Sequence, residues 1–289
     1  MEQAILQSAH HLVELALQED LGERGDITSL AVFQENQLHT ARIVAKQAGV
    51  IAGLFISRLV YEALGGNTQI EELASDGDQV KQGETVLKLT GPVRELLAGE
   101  RILLNFLGRL SGIATSAALH LAEQVGELPI LLDTRKTTPG YRLLEKYAVR
   151  VGGMQNHRLG LYDQYMIKDN HIAAAGGVRP ALELVFKHRQ KLCEDIPVEI
   201  EVTDLDQFRE AVAMNPDIIM LDHFDDEMIR EVGAIPHNSI QLELSGNITA
   251  DRIGKLGASG IKFISIGAVT HSAPAFDFSM QIGNYADQN

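Results

Sequence analysis

VEIEVTDLDQFREAVAMNPDIIMLD, residues 198–222, sets two short apolar runs, VEIEV (198–202) and DIIMLD (217–222), on either side of a stretch of helical character. Strand, helix and strand in so short a span make a βα unit, the building block of a parallel sheet. The same rhythm extends in both directions from about Gly112, with further strand-like runs at PILLD (129–133), QYMIK (164–168), SIQLELSG (239–246) and KFISIGA (262–268). Nearly all of these runs end in a polar residue or a glycine. In a βα barrel the C-terminal strand ends form the active-site mouth, so Asp133, Lys168, Glu201, Asp222, Ser245 and Gly267 are expected to converge there. Six or seven strands are fewer than eight, so the expected barrel is open and incomplete. Residues 112–270 are assigned to it.

The first 111 residues read differently. Ile5, Leu12, Val13 and Leu17 lie near helical spacing, with Gly22 and Gly25 available to end the helix. ARIVAKQAGVIAG (41–53) and ETVLKLTG (84–91) are β-like runs around a helical stretch, ISRLVYEALGG (56–66). This is the pattern of a small α/β domain, with the tail, 271–289, expected to join it.

The chain has 289 residues, 45% hydrophobic and 22% charged, in the range of globular proteins. No run is long and apolar enough to be expected to span a bilayer, and the N-terminus lacks a basic flank followed by an apolar stretch, so a cytoplasmic location without membrane attachment is expected. Cys193 is the only cysteine, which excludes an internal disulfide. A net charge of −14 disfavours nucleic-acid binding. Within that acidic chain, residues 133–171 carry seven Lys/Arg and four Asp/Glu, a local +3. A basic island of this size suits a small anionic ligand.

Two segments fill the island. DTRKTTPG (133–140) puts Arg135 and Lys136 in a Gly/Pro-containing loop directly after a strand, where they can hold two anionic groups. GGMQNHRLGLYDQYMIKDNH (152–171) adds His157 and Arg158 in a polar loop and Lys168 at a strand end. His157, His171, Asp163 and Asp169 lack tight metal-ligand spacing, which argues against zinc. Glu201 and Asp222 end adjacent strands, suited to sugar hydroxyls, Mg2+ or developing positive charge; the alternative is that they only cap the helices that follow. Glu199, two residues before Glu201, shares its face. LELSGN (242–247) and ISIGAVTH (264–271) end the last two strands in small residues, leaving backbone N–H groups to cradle a phosphate.

Together these segments resemble the quinolinate phosphoribosyltransferases, also called nicotinate-nucleotide pyrophosphorylases (carboxylating). The likeness runs through LQEDLGERGDIT (17–28), GERILLNFLGRLSGIAT (99–115), DTRKTTPGYRLLEKYAVRVGG (133–153), NHRLGLYDQYMIKDNHI (156–172), VEIEV, IMLDHF (219–224), LELSGNI (242–248) and SIGAVTHSAPAFDFS (265–279). It implies an N-terminal α/β sandwich domain plus an open βα barrel, in a homodimer whose sites are completed by the partner's small domain. It also implies transfer of the phosphoribosyl group of 5-phosphoribosyl pyrophosphate (PRPP) to quinolinate with loss of CO2, in NAD biosynthesis. By motif match, Arg135, His157, Arg158 and Lys168 hold the two quinolinate carboxylates, with Thr134 beside them and Arg101 supplied across the interface. Lys136, Glu201 and Asp222 are the implied catalytic residues, engaging PRPP and its Mg2+, the cofactor, held mainly through PRPP. Ser245, Gly246, Asn247, Ser265 and Gly267 line the implied phosphate end. Met154, Tyr141 and His223 depart from the usual pattern without removing a charged ligand. A transferase acting on nicotinate needs fewer cations than the four or five present. SDGDQVKQGETVLKLTG (75–91) resembles a biotinyl or lipoyl carrier turn, but it lacks the exposed acceptor lysine.

Overall fold

The computed structural model describes residues 2–122, 129–237, 239–246, 248 and 260–283. In chain order the elements are α1 (Glu2–Leu21), α2 (Ile27–Val32), β1 (Leu38–Ala45), β2 (Gly49–Val50), α3 (Ile56–Ala63), β3 (Gln69–Glu72), β4 (Gln79–Val80), β5 (Thr85–Pro92) and α4 (Val93–Ala122). There follow β6 (Ile130–Leu132), α5 (Arg142–Val151), β7 (Tyr165–Ile167), α6 (Asp169–Ala175), α7 (Val178–Leu192), β8 (Val198–Val202), α8 (Leu205–Met214), β9 (Ile218–Asp222) and α9 (Asp226–Ala234). The last elements are β10 (Gln241–Ser245), β11 (Phe263–Ser265), α10 (Ala268–His271) and β12 (Phe278–Ile282).

Two compact units emerge. One comprises residues 1–119, 137–153 and 269–289; the other, 120–136 and 154–268. Helix α4 runs unbroken across residue 111 and lies in the first unit as far as residue 119. Its buried residues, among them Leu96, Leu103, Leu107, Leu110, Ala114 and Ala117, recur at helical spacing past residue 111, so one apolar stripe commits the helix to one core. An 18-residue stretch within Val93–Ala122 also has the length and mean hydropathy, 1.4, of a membrane span, which corrects the expectation that no segment does. Some 67% of that stretch is buried within the protein, as in a core helix.

In the first unit a four-stranded sheet runs β12-β1-β5-β3, all pairs antiparallel. Ala41, Ile43 and Ala45 alternate inward from β1, with Leu87 and Leu89 of β5, Tyr61 of α3 and Leu103 of α4 in the same core. The tail belongs here through β12, whose Phe278 aligns with Ala45. Close approach of the tail to α4 requires a glycine: a Cβ on Gly112 would lie 2.1 Å from the Pro274 carbonyl oxygen.

The second unit is a six-stranded parallel sheet, β6-β11-β10-β9-β8-β7, which does not close. An isolated parallel bridge joins Leu132 to Gln155 at the outer edge of β6. β8 and β9 are buried on both faces, as parallel strands covered by helices are. The in-register pairs Ser245↔Asp222 and Ser265↔Leu132 bring the C-terminal strand ends to one level. Asp204 and Asp225, not Glu201 or Asp222, accept the N-terminal amides of α8 and α9. The two strand-ending acids are therefore released from capping duty.

Candidate active site

The C-terminal strand ends of the second unit enclose a cavity of about 440 Å³. Arg135 and Lys136 enter from the loop after β6, His157 and Arg158 from the loop before β7, and Lys168 from the end of β7. Glu201, Asp222, His223, Ser245 and Ser265 complete the polar wall with Thr134, while Met166 and Met220 supply an apolar surface. Met side chains suit a flat aromatic ring without imposing one shape on it. Ten of the residues picked out in the sequence thus meet around one cavity. Arg101 lies exposed on α4 in the other unit, Gly246 and Gly267 are not among the lining residues, and Asn247 lies outside the described residues.

Local sequence explains how the basic loops are held. Asp133, fully buried at the end of β6, accepts the His157 N–H through Oδ1 and the Asn156 side-chain amide through Oδ2, both at 2.8 Å. Thr134 Oγ1 accepts the Lys136 N–H, turning the loop back on itself. Asp163 accepts the Leu159 and Gly160 N–H groups, and despite its burial these bonds lower its pKa from the ordinary value. His171 Nδ1 accepts the Lys168 N–H at the start of α6. Asp163 and His171 are therefore engaged in local structure.

Beneath the cavity sits a buried trio. His157 Nε2 is 3.2 Å from Glu199 Oε2 and 3.4 Å from Glu243 Oε1, both glutamates being fully buried. Gln164 donates to Glu199 at 2.6 Å, and the Ser265 hydroxyl donates to Glu243. Burial alone would depress the His157 pKa, but the two carboxylates outweigh it and raise it to about 10; burial and the Glu243 charge raise Glu199 to about 7. The Arg158 N–H points at His157 Nδ1 from 2.7 Å, which opposes a second ring proton. The extra proton is thus shared over the trio, which titrates as a unit. By position these three groups, their ligand atoms within 4.8 Å of one another, are also the described residues best grouped to hold a metal ion.

Arg135 and Arg158 lie close enough for their charges to interact. Burial and the neighbouring Arg135 charge lower the Arg158 pKa from its ordinary value. Arg135 Nε is buried without a hydrogen-bond partner among the described residues. Two neighbouring guanidinium groups, one with a buried donor that no described residue accepts, make an arrangement suited to an anion. Lys168 Nζ, in contrast, is ion-paired with Glu201 Oε2.

Glu243, Met166 and Met220 are absent from the sequence-derived site, and Asp133 appears there only as a strand end. An acid inside the apolar run LELS was the one local signal for Glu243; nothing in the sequence distinguished the methionines from ordinary core.

Residues 26–111 match the profile described as "Quinolinate phosphoribosyl transferase, N-terminal domain" and residues 113–281 that of the C-terminal domain. The probable nicotinate-nucleotide pyrophosphorylase (carboxylating) of Bacillus subtilis (strain 168) is 42% identical over 264 residues, covering 91% of this chain and 90% of that protein. Among solved structures, the nicotinate-nucleotide pyrophosphorylase of Francisella tularensis superposes with a TM-score of 0.88 at 40% identity, covering 96% of each chain. NadC of Streptococcus pyogenes does so with a TM-score of 0.88 at 39% identity, covering 94% of this chain and 95% of that one. With both domain profiles matched in order and relatives covering nearly the full length, the chain belongs to the quinolinate phosphoribosyltransferase family.

Proposed function

We propose that this protein transfers the 5-phosphoribosyl group of PRPP to the ring nitrogen of quinolinate with decarboxylation, giving nicotinate mononucleotide, pyrophosphate and CO2. The observation that carries the reading is the Arg135–Arg158 pair with its buried unsatisfied donor, next to a methionine surface. A planar dicarboxylate satisfies both features at once. Arg135 and Arg158 take the carboxylates, with Lys168 and the His157 trio beside them. Lys136, Glu201 and Asp222 face PRPP, and the Ser245–Gly246 and Ser265–Gly267 ends lie towards its phosphates.

The carboxylates of Glu201 and Asp222 fit Mg2+, a hard cation that prefers oxygen and keeps water and phosphate ligands. When bound with PRPP it neutralises the pyrophosphate leaving group. As the C1–O bond breaks, the same two side chains stabilise positive charge developing on the ribose carbon. Quinolinate nitrogen then bonds to C1. The electron pair released when the 2-carboxylate departs as CO2 stays on C2 beside the quaternised nitrogen and takes up a proton from solvent, while Arg135 and Arg158 hold the ring in place.

Purified protein with quinolinate, PRPP and Mg2+ is expected to release CO2 and form nicotinate mononucleotide, with nicotinate at least about 100-fold poorer because one charge-assisted pairing is lost. EDTA is expected to stop turnover and excess Mg2+ to restore it. Absence of turnover with quinolinate by a folded protein would overturn the assignment.

The active form is a homodimer in this reading, in the cytoplasm, with Arg101 reaching the partner's cavity. Mixing an Arg101→Ala chain with a Lys136→Ala chain is expected to restore activity towards one quarter of wild type, since half of the dimers are hybrids with one intact site in two. Mixed samples as inactive as the separate variants would remove the shared site.

A further inference from the structure

We propose that His223 binds PRPP and positions Asp222: its Nδ1–H orients the Asp222 carboxylate, and its Nε2 forms a hydrogen bond with a ribose hydroxyl. The inference rests on the reading that the cavity takes PRPP.

His223 directly follows β9 and lines the cavity. Its backbone is left-handed, φ +60°, a region histidine tolerates better than most residues. Its N–H donates to the Ser245 carbonyl at 3.0 Å, tying the end of β9 to the end of β10. The ring lies against Gly246, where an added Cβ would come within 2.7–2.8 Å of three ring atoms. Gly246, with φ +90°, is therefore required by its backbone and by the ring beside it. Backbone and ring are thus held from two directions, as expected of a side chain whose orientation matters.

Nδ1 is 2.8 Å from Asp222 Oδ2. The carboxylate oxygen is the acceptor in this contact, so Nδ1 donates, and Nε2, on the far side of the ring, is left for a ligand. Nε2 has no hydrogen-bond partner among the described residues, and the side chain is 59% exposed at the cavity wall. A ribose hydroxyl can give or take a hydrogen bond at Nε2 whereas a phosphate oxygen can only take one, so the ribose is the favoured partner.

Wild-type turnover of quinolinate is established first; a folded wild type without turnover overturns both the reading and this inference. His223→Phe keeps a ring against Gly246 and removes both hydrogen bonds. It is expected to raise KM for PRPP about tenfold, lower kcat, and leave KM for quinolinate and inhibition by inorganic pyrophosphate within about twofold. His223→Asn tolerates the left-handed backbone and restores a donor to Asp222, so it is expected to recover to within about threefold of wild type. If the phenylalanine variant does not fold, His223→Gly, which suits the positive φ, carries the same comparison. An unchanged KM for PRPP overturns the inference. So does pyrophosphate inhibition weakened as much as PRPP binding, which would place phosphate at Nε2, and so does an asparagine variant as poor as phenylalanine.

Discussion

Arg135→Ala is expected to lower kcat/KM for quinolinate by about 100-fold or more while leaving the melting temperature unchanged or slightly raised. The first half follows from charge-assisted hydrogen bonding: a guanidinium–carboxylate pair at a desolvated site contributes about 1.5–3 kcal/mol, up to about two orders of magnitude, before the loss of orientation is added. The second half follows from repulsion. Arg135 disfavours the charged form of its neighbour Arg158 and keeps a buried donor unsatisfied, so its removal relieves the ligand-free protein. Arg135→Lys restores charge without the fork and is expected to recover only part of the activity. Steady-state kinetics and thermal melts on the two variants check this. A fall in stability with activity retained would show that Arg135 serves the fold and not the ligand.

His157→Gln has the largest expected effect on stability. It leaves Glu199 and Glu243, both fully buried, without the imidazole between them, and removing one partner from a buried ionic cluster costs about 3–5 kcal/mol. Adding Glu243→Gln to that variant removes the like-charge contact and is expected to recover a good part of the loss. The sign with pH follows from the raised pKa values. The folded pKa of His157, about 10, lies above its unfolded 6.5, so its contribution is complete below pH 6.5 and is lost as pH rises towards 10. Glu199, raised from 4.5 to about 7, loses its contribution over that earlier window, so both act in the same direction. Denaturant unfolding of wild type is therefore expected to show stability falling between pH 7 and 10, with that slope much reduced in His157→Gln. A wild type whose stability is flat across that range would falsify the shared-proton trio.

The sequence by itself determined the barrel's strands and the cations at its mouth. Short apolar runs ending in polar residues are a local signal, and a parallel strand of five residues has little choice once both faces are buried, as VEIEV and IIMLD show. Arg135, Lys136 and Lys168 were legible because each sits at or just after such a strand end, where the architecture fixes the direction in which side chains point, and Arg158 because it stands beside His157 in a polar loop of the same basic island. Position within the strand carried the information, and that is a property of the chain alone.

Tertiary structure decided the rest. The boundary between units follows the continuous apolar stripe of α4 and the return of β12 to β1, a pairing across more than 230 residues that no window of sequence contains. The same holds for His157. In sequence it is one more polar loop residue, and its charge partners come from β8 and β10, brought under it only when the strands align. Desolvation and like-charge proximity depend on what surrounds a group in space, so its proton affinity has no representation in linear spacing. Glu201 and Asp222 were ambiguous between capping and chemistry until Asp204 and Asp225 were seen to take the helix amides. Local pattern names the candidates; the packing of distant elements assigns which of them is buried, paired or left facing the cavity.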